Sequence, residues 1–279
     1  MGRSSYIAGH GVKMSAVMEL DGQPVSLEQS VALGLYNYGH FTSILVSEQR
    51  AKGLDLHLAR LQSDCQMLFG TTLDIAAVRQ RIRHALAGIE QPVVVRVTVF
   101  DPDMGASMPS RPATPRVLIT TRSAGNAPPP PLRLRSVRYE RELATVKHVG
   151  LFGAVHHRRQ AKLAGYDDAL FVNAAGNVSE GPTWNVAFYD GSQVHFPKAE
   201  CLPGVTMRLT QRCLTELGIP FSETHIDVTR AQTMRAAFIM NAVVDLRTIW
   251  SIDDRELPGD TALMTQLRDA YLAVPDISL

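Results

Sequence analysis

The stretch SAGNAPPPP at 123–131 constrains this chain more than any other. Four consecutive prolines cannot lie inside a helix or a central strand, and they favour an extended spacer. Strand-like segments flank it. VVVRVTVF at 93–100 and RVLITT at 116–121 come before, and LRLRSVR at 132–138, which alternates with period two, follows. The expected organisation is therefore an N-terminal domain over 1–122, a linker over 123–131 and a C-terminal domain over 132–279.

Composition removes several function classes. The 279 residues are 45% hydrophobic and 20% charged, and 28 Lys and Arg against 27 Asp and Glu give a net charge of +1. Disorder needs the opposite balance. A near-neutral chain without a basic run carries no electrostatic footprint for nucleic acid. No apolar run approaches the roughly 20 residues of a membrane helix. The start, MGRSSYIAGHGVKM, lacks a signal-peptide core, and Ser5 stands one position early for a myristoylation signal. A cytoplasmic enzyme is the expectation. Cys65, Cys201 and Cys213 lie far apart with no CxxC spacing, which suits neither a disulfide framework nor zinc. His156 and His157 are adjacent and cannot face one site from a helix, so no metal is expected.

In the first half a strand is expected near 14–20, an apolar-rich stretch at 36–46, a helix at 54–69 ending at Gly70, and a second helix at 75–87. In the second half a helix over 149–163 precedes a strand at 169–172. Strands at 185–189 and 237–240 enclose a helix opening after Pro203-Gly204. Helices and strands mix without strict βαβ alternation, so the fold class is α/β of an α+β-like kind.

Four local signals could carry chemistry. Lys147 sits between a strand end and a helix, where an apolar setting would free its amine for a Schiff base. Glu180, among Gly181, Pro182 and Trp184, is a candidate buried acid. The turn before Val205 and Thr206 leaves backbone N–H groups at a helix start, an anion site. His57 and Arg60 share a helix face, and the guanidinium could fork onto a phosphate. Each also has an ordinary reading as a surface lysine, a loop carboxylate, a Pro-Gly turn or a solvated face.

Their order resembles the class IV aminotransferases, the fold type IV enzymes that use pyridoxal 5′-phosphate (PLP), which include branched-chain and D-amino-acid aminotransferases and aminodeoxychorismate lyases. The likeness runs over about 36–252 and is strongest from Lys147 through AGYDDAL at 164–170, GNVSEG at 176–181, Asn185 and LPGVT at 202–206. It implies two domains with PLP in the cleft between them, and a homodimer. Lys147 would carry the cofactor and move the proton at the substrate carbon. Glu180 would pair with the pyridine nitrogen. Arg60, Val205, Thr206 and Asn241 would hold the phosphate.

The chain departs from the family in places. A Y-G-D/E-G-x-F segment is replaced by YNYGHFTS at 36–43, which brings Tyr38 and His40 to the expected substrate pocket together with Trp184 and Ala242. Phe152 stands where many members have tyrosine, and Pro182 and Trp184 would narrow the pocket. The implied reaction moves an amino group between an amino acid or amine and a 2-oxo acid. The alternatives are 4-amino-4-deoxychorismate lyase, releasing pyruvate and 4-aminobenzoate, and a PLP-binding relative without turnover. Arg96, Arg116 and Arg138 are candidates for a carboxylate-binding pair.

Overall fold

The computed structural model describes residues 17–125 and 130–279. Residues 14–16 of the first expected strand and 126–129 of the expected linker lie outside this description. The N-terminal elements are β1 Met18–Leu20, β2 Gln23–Pro24, α1 Leu27–Leu35, β3 His40–Val46, β4 Arg50–Lys52, α2 Leu54–Phe69, α3 Ile75–Ala85, β5 Val93–Phe100 and β6 Arg116–Ser123. Five of these strands form an antiparallel sheet in the order β2-β1-β6-β5-β3. Its valine-rich centre packs on α2 and α3, with Ile44, Val95, Val97, Leu58, Leu61 and Ile82 in one core.

The chain continues through β7 Leu132–Arg138, α4 Phe152–Leu163, β8 Asp168–Val172, β9 Asn185–Tyr189, β10 Val194–Pro197, α5 Val205–Glu216 and β11 Phe221–Thr224. It ends with α6 Val228–Ala231, β12 Ala236–Asn241, β13 Asp245–Ile252, β14 Arg255–Glu256, α7 Thr261–Ala273 and β15 Asp276–Ser278. A mixed eight-stranded sheet runs β11-β10-β9-β12-β13-β7-β8, with β14 beside β13. Strand β12 lies at its centre. Ala237 and Ile239 enter one core, while Phe238 and Met240 enter another on the opposite face. Burial on both faces explains why β12 reads as an unbroken apolar run. Strand β15 returns to pair with β4.

The sequence periods locate most elements closely. Helix α2 spans 54–69 and stops at Gly70, which adopts a left-handed φ of 63°. Helix α4 starts at Phe152, three residues later than the pattern suggests. Residues 147–149 are held instead as an extended strip along the start of β3, with Phe41 N–H donating to Lys147 O (2.8 Å) and Val149 N–H to Gly39 O (2.9 Å). Among the described residues no helix is long and apolar enough to cross a membrane.

Candidate active site

A cavity of about 800 Å³ opens where the five-stranded and eight-stranded sheets face each other. Lys147, Glu180, Arg60, Val205, Thr206, Asn241, Trp184 and Ala242 all line it.

Both backbone groups of Lys147 are fixed. Its carbonyl accepts from Phe41, and its N–H donates to Asp64 Oδ2 at 3.1 Å. Its amine lies 5.0 Å from the Phe41 ring centre. Burial lowers the ammonium pKa from 10.5 to about 7; Arg60 and Arg141 add to the effect, while Glu180 opposes it. A large fraction of the amine is therefore neutral, and nucleophilic, near pH 7. The unfolded chain still binds this proton up to about pH 10.5, so stability of the cofactor-free protein rises with pH from about 7 to 10.5 relative to Lys147→Met. Denaturant melts of both proteins across that range measure the gap, and a constant gap would mean that Lys147 is not shifted.

Glu180 is 5% exposed. One carboxylate oxygen accepts from Arg141 Nε at 2.8 Å and the other from Leu202 N–H at 3.2 Å. Arg141 also donates to Val146 O at 3.1 Å and to Ala144 O. One buried guanidinium thus ties the lysine-bearing segment to the acid. Beside them, Trp184 Nε1–H donates to Asp168 (2.9 Å), and its ring lies on Gly181, where a Cβ would come within 2.2 Å of it.

Helix α2 supplies Arg60 and His57 to the cavity. Arg60 Nη2 donates to Thr42 Oγ1 at 2.7 Å, and that hydroxyl lies 2.6 Å from His57 Nδ1. Burial, Arg60 and Lys147 hold His57 well below its usual pKa, so the imidazole is neutral and can accept from Thr42. The buried Arg60 Nε and Thr206 Oγ1 have no partner among the described residues. Helix α5 begins at Val205 without a side-chain cap, leaving its first N–H groups free. Two orphaned buried donors beside a helix N-terminus form a cradle suited to a phosphate.

Gly204 lets that helix start against Asn185, whose Nδ2 donates to Leu202 O at 2.8 Å. A Cβ on Gly204 would lie 2.0 Å from Asn185 Oδ1. Gly204→Ala is expected to cost about 1–3 kcal/mol in a denaturant melt by overpacking this turn. An unchanged melt would mean the turn has room to spare.

Two residues expected at the substrate pocket do not line it. Side chains alternate along β3, so Phe41 and Ser43 face the cavity while His40, Thr42 and Ile44 face α2. His40 is fully buried on that second face, and its pKa falls to about 4 through burial and Arg60. Tyr38 sits outside, its hydroxyl donating to Leu68 O at 2.9 Å. Asn241 lines the cavity, but its carboxamide is engaged elsewhere: Oδ1 accepts from Val243 and Val244 in its own turn, and Nδ2 donates to Thr183 O of the loop before β9. Phe152 is 85% exposed on the outer side of α4. Of the three arginines weighed for a carboxylate, Arg96 lines the cavity. Arg116 pairs with Asp21, and Arg138 does not line it.

Arg141 lines the cavity and Asp64 holds the Lys147 N–H, and neither stands out in the sequence. Arg141 lies in Glu140-Arg141-Glu142, a charged triplet that looks like a solvated loop. Asp64 stands four residues after Arg60, and this i, i+4 spacing was the available signal. Among the described residues no group of three or more His, Cys, Asp or Glu could hold a metal.

The sequence profile of the amino-transferase class IV family matches residues 39–252, which contain every wall of this cavity described above. The chain belongs to the class IV aminotransferases. A protein named "Probable branched-chain-amino-acid aminotransferase" from Rickettsia felis is 27% identical over 101 residues, covering 36% of this class IV chain and 35% of the relative. The aligned part thus spans about a third of that relative. Among solved structures, a branched-chain aminotransferase from Thermoproteus uzoniensis superposes with a TM-score of 0.82 at 20% identity, over 91% of this chain and 93% of that one. A Legionella pneumophila protein assigned as a 4-amino-4-deoxychorismate lyase gives 0.81 at 19% identity, over 90% and 95%. The fold is that of the fold type IV enzymes. Class IV aminotransferases are PLP enzymes, and the related structures include a pyridoxamine 5′-phosphate complex.

Proposed function

We propose that this chain holds PLP in the cavity and transfers an amino group between an amino acid and a 2-oxo acid. The observation that carries this reading is the meeting, in one cavity, of a buried amine of lowered pKa, a buried arginine-held carboxylate and an anion cradle. When bound, the cofactor supplies an electron sink for the bond broken at the substrate α-carbon. Lys147 would hold the cofactor aldehyde carbon and, once released, take the proton from the substrate α-carbon and return it elsewhere. Glu180, fixed by Arg141 and Leu202, would keep a proton on the ring nitrogen. Arg60, Thr206 and the first N–H groups of α5 would hold the phosphate. Arg96, stacked 3.5 Å from the Phe41 ring centre and close enough to depress the Lys147 amine, would hold the substrate α-carboxylate.

The cavity lies between a sheet built before residue 124 and one built after residue 131, which supports a division at the 123–131 linker. A homodimer and a cytoplasmic location are part of the same reading, on family likeness alone.

The test is to supply PLP, single amino acids of either hand and a 2-oxo acid, and to follow products by mass. A new amino acid matching the oxo acid is the expected result. Release of pyruvate with 4-aminobenzoate from aminodeoxychorismate, and no amino transfer, would replace this reading with the lyase. Tight PLP binding with no product from any donor would replace it with a binding protein.

A further inference from the structure

Three polar side chains run in a line from α2 to β3 and back: Arg60 Nη2 lies 2.7 Å from Thr42 Oγ1, and Thr42 Oγ1 lies 2.6 Å from His57 Nδ1. What each group can give or take fixes the protons between them. A guanidinium only donates, so Thr42 Oγ1 accepts from Arg60. Thr42 is fully buried, and its own hydroxyl proton meets no other acceptor among the described residues. A buried hydroxyl proton left unpaired is costly, so it goes to His57 Nδ1. That nitrogen then carries no proton. A neutral imidazole bears its single proton on one ring nitrogen, which for His57 is Nε2. Burial, Arg60 and Lys147 also disfavour the cationic ring, in which both nitrogens would be protonated.

His57 is therefore a neutral donor whose Nε2–H points away from Thr42. The residue is 1% exposed and lines the cavity, and its Nε2 has no acceptor among the described residues. Helix α2 sets where this donor sits. His57 N–H donates to Gly53 O at 3.0 Å, and a Cβ on Gly53 would lie 2.7 Å from Val205 Cγ1. His57 thus stands one turn along α2 from the point where that helix touches the start of α5. Arg60 follows it at i+3 on the same face. The uncapped start of α5, the orphaned Arg60 Nε and the orphaned Thr206 Oγ1 belong to residues of the same cavity wall. An anion there meets the orphaned imidazole N–H as well.

We propose that His57 Nε2–H is a further side-chain donor to the cofactor phosphate, and that Thr42 is the positioning residue that fixes its tautomer. This rests on the PLP reading of the cavity. Thr42 does so by taking a proton from Arg60 and giving its own to Nδ1, so one hydroxyl orients both the guanidinium and the imidazole.

The PLP-loaded protein, labelled with nitrogen-15 at histidine, is examined by long-range nitrogen–proton NMR, which tells a protonated ring nitrogen from a bare one. His57, identified as the signal missing in H57Q, is expected to show a protonated Nε2 and a bare Nδ1. A proton on Nδ1 overturns the proposal. Binding is then compared in two variants. The amide of H57N can still meet Thr42 but lacks the distal donor, whereas the amide of H57Q reaches toward the Nε2 position. H57N is expected to weaken PLP by at least about tenfold, the scale of one hydrogen bond to a charged group. Pyridoxal, which has no phosphate, should bind H57N as it binds the wild type, and H57Q should recover part of the loss for PLP. Unchanged PLP affinity in H57N, or an equal loss for PLP and pyridoxal, overturns the proposal. Calorimetry with inorganic phosphate separates the donor from the cofactor. If PLP forms no adduct with the wild type while phosphate binds it and binds H57N more weakly, the PLP reading fails and the anion donor stands.

Discussion

Lys147→Ala is expected to remove the visible absorbance of the PLP–lysine linkage and to lower amino transfer by at least the roughly 10²–10⁴-fold that a positioned proton-transfer group contributes. The argument starts from the backbone. Lys147 is anchored by Phe41 and Asp64 on two sides, so its side chain has a defined origin. Burial and three arginines, Arg60, Arg141 and Arg96, then hold its amine near a pKa of 7. Of the four lysines among the described residues, Lys147 is the one that lines the cavity. The absorbance spectrum of the loaded variant and its turnover check the two expectations separately. A retained band would mean that another lysine carries the cofactor.

The second large effect is expected at Arg141. Its side chain is 8% exposed and that of Glu180 is 6% exposed. Removing one partner from a buried pair leaves an uncompensated charge and costs about 3–5 kcal/mol. Arg141→Ala should therefore lose stability on that scale in a denaturant melt. It should also loosen the 144–146 segment that Arg141 holds and so displace Lys147. Adding Glu180→Gln to Arg141→Ala removes the unpaired charge and should restore part of the stability, without restoring transfer. A single substitution that melts like the wild type would show that Leu202 N–H and water suffice for Glu180.

The parts of the fold legible in the sequence are those set by a local period. Helix α2 shows a 3.6-residue apolar pattern ended by a glycine that adopts a left-handed φ, β5 shows a valine-rich run interrupted by Arg96 and Thr98, and β12 shows an apolar run suited to a strand buried on two faces. What could not be read is what depends on which face of a strand meets which neighbour. Tyr38 and His40 adjoin Phe41 and Ser43 in sequence, but the pleat sends only the latter pair into the cavity. The sequence pattern starts α4 three residues early because nothing local reveals that 147–149 lies along β3. Lys147, Glu180, Arg60, Val205 and Thr206, which line one cavity, stand out in the sequence because they sit in ordered motifs around turns and helix starts. Arg141 was not, since a guanidinium between two glutamates looks the same in sequence whether it faces water or a buried acid.

Borohydride reduction in the presence of PLP, followed by peptide mapping, tests the placement of the reacting amine most directly. A phosphopyridoxyl mass on the peptide carrying Lys147, formed at one equivalent per chain and absent in Lys147→Ala, is the predicted result. Modification of Lys13, Lys52, Lys162 or Lys198 with Lys147 untouched would contradict it.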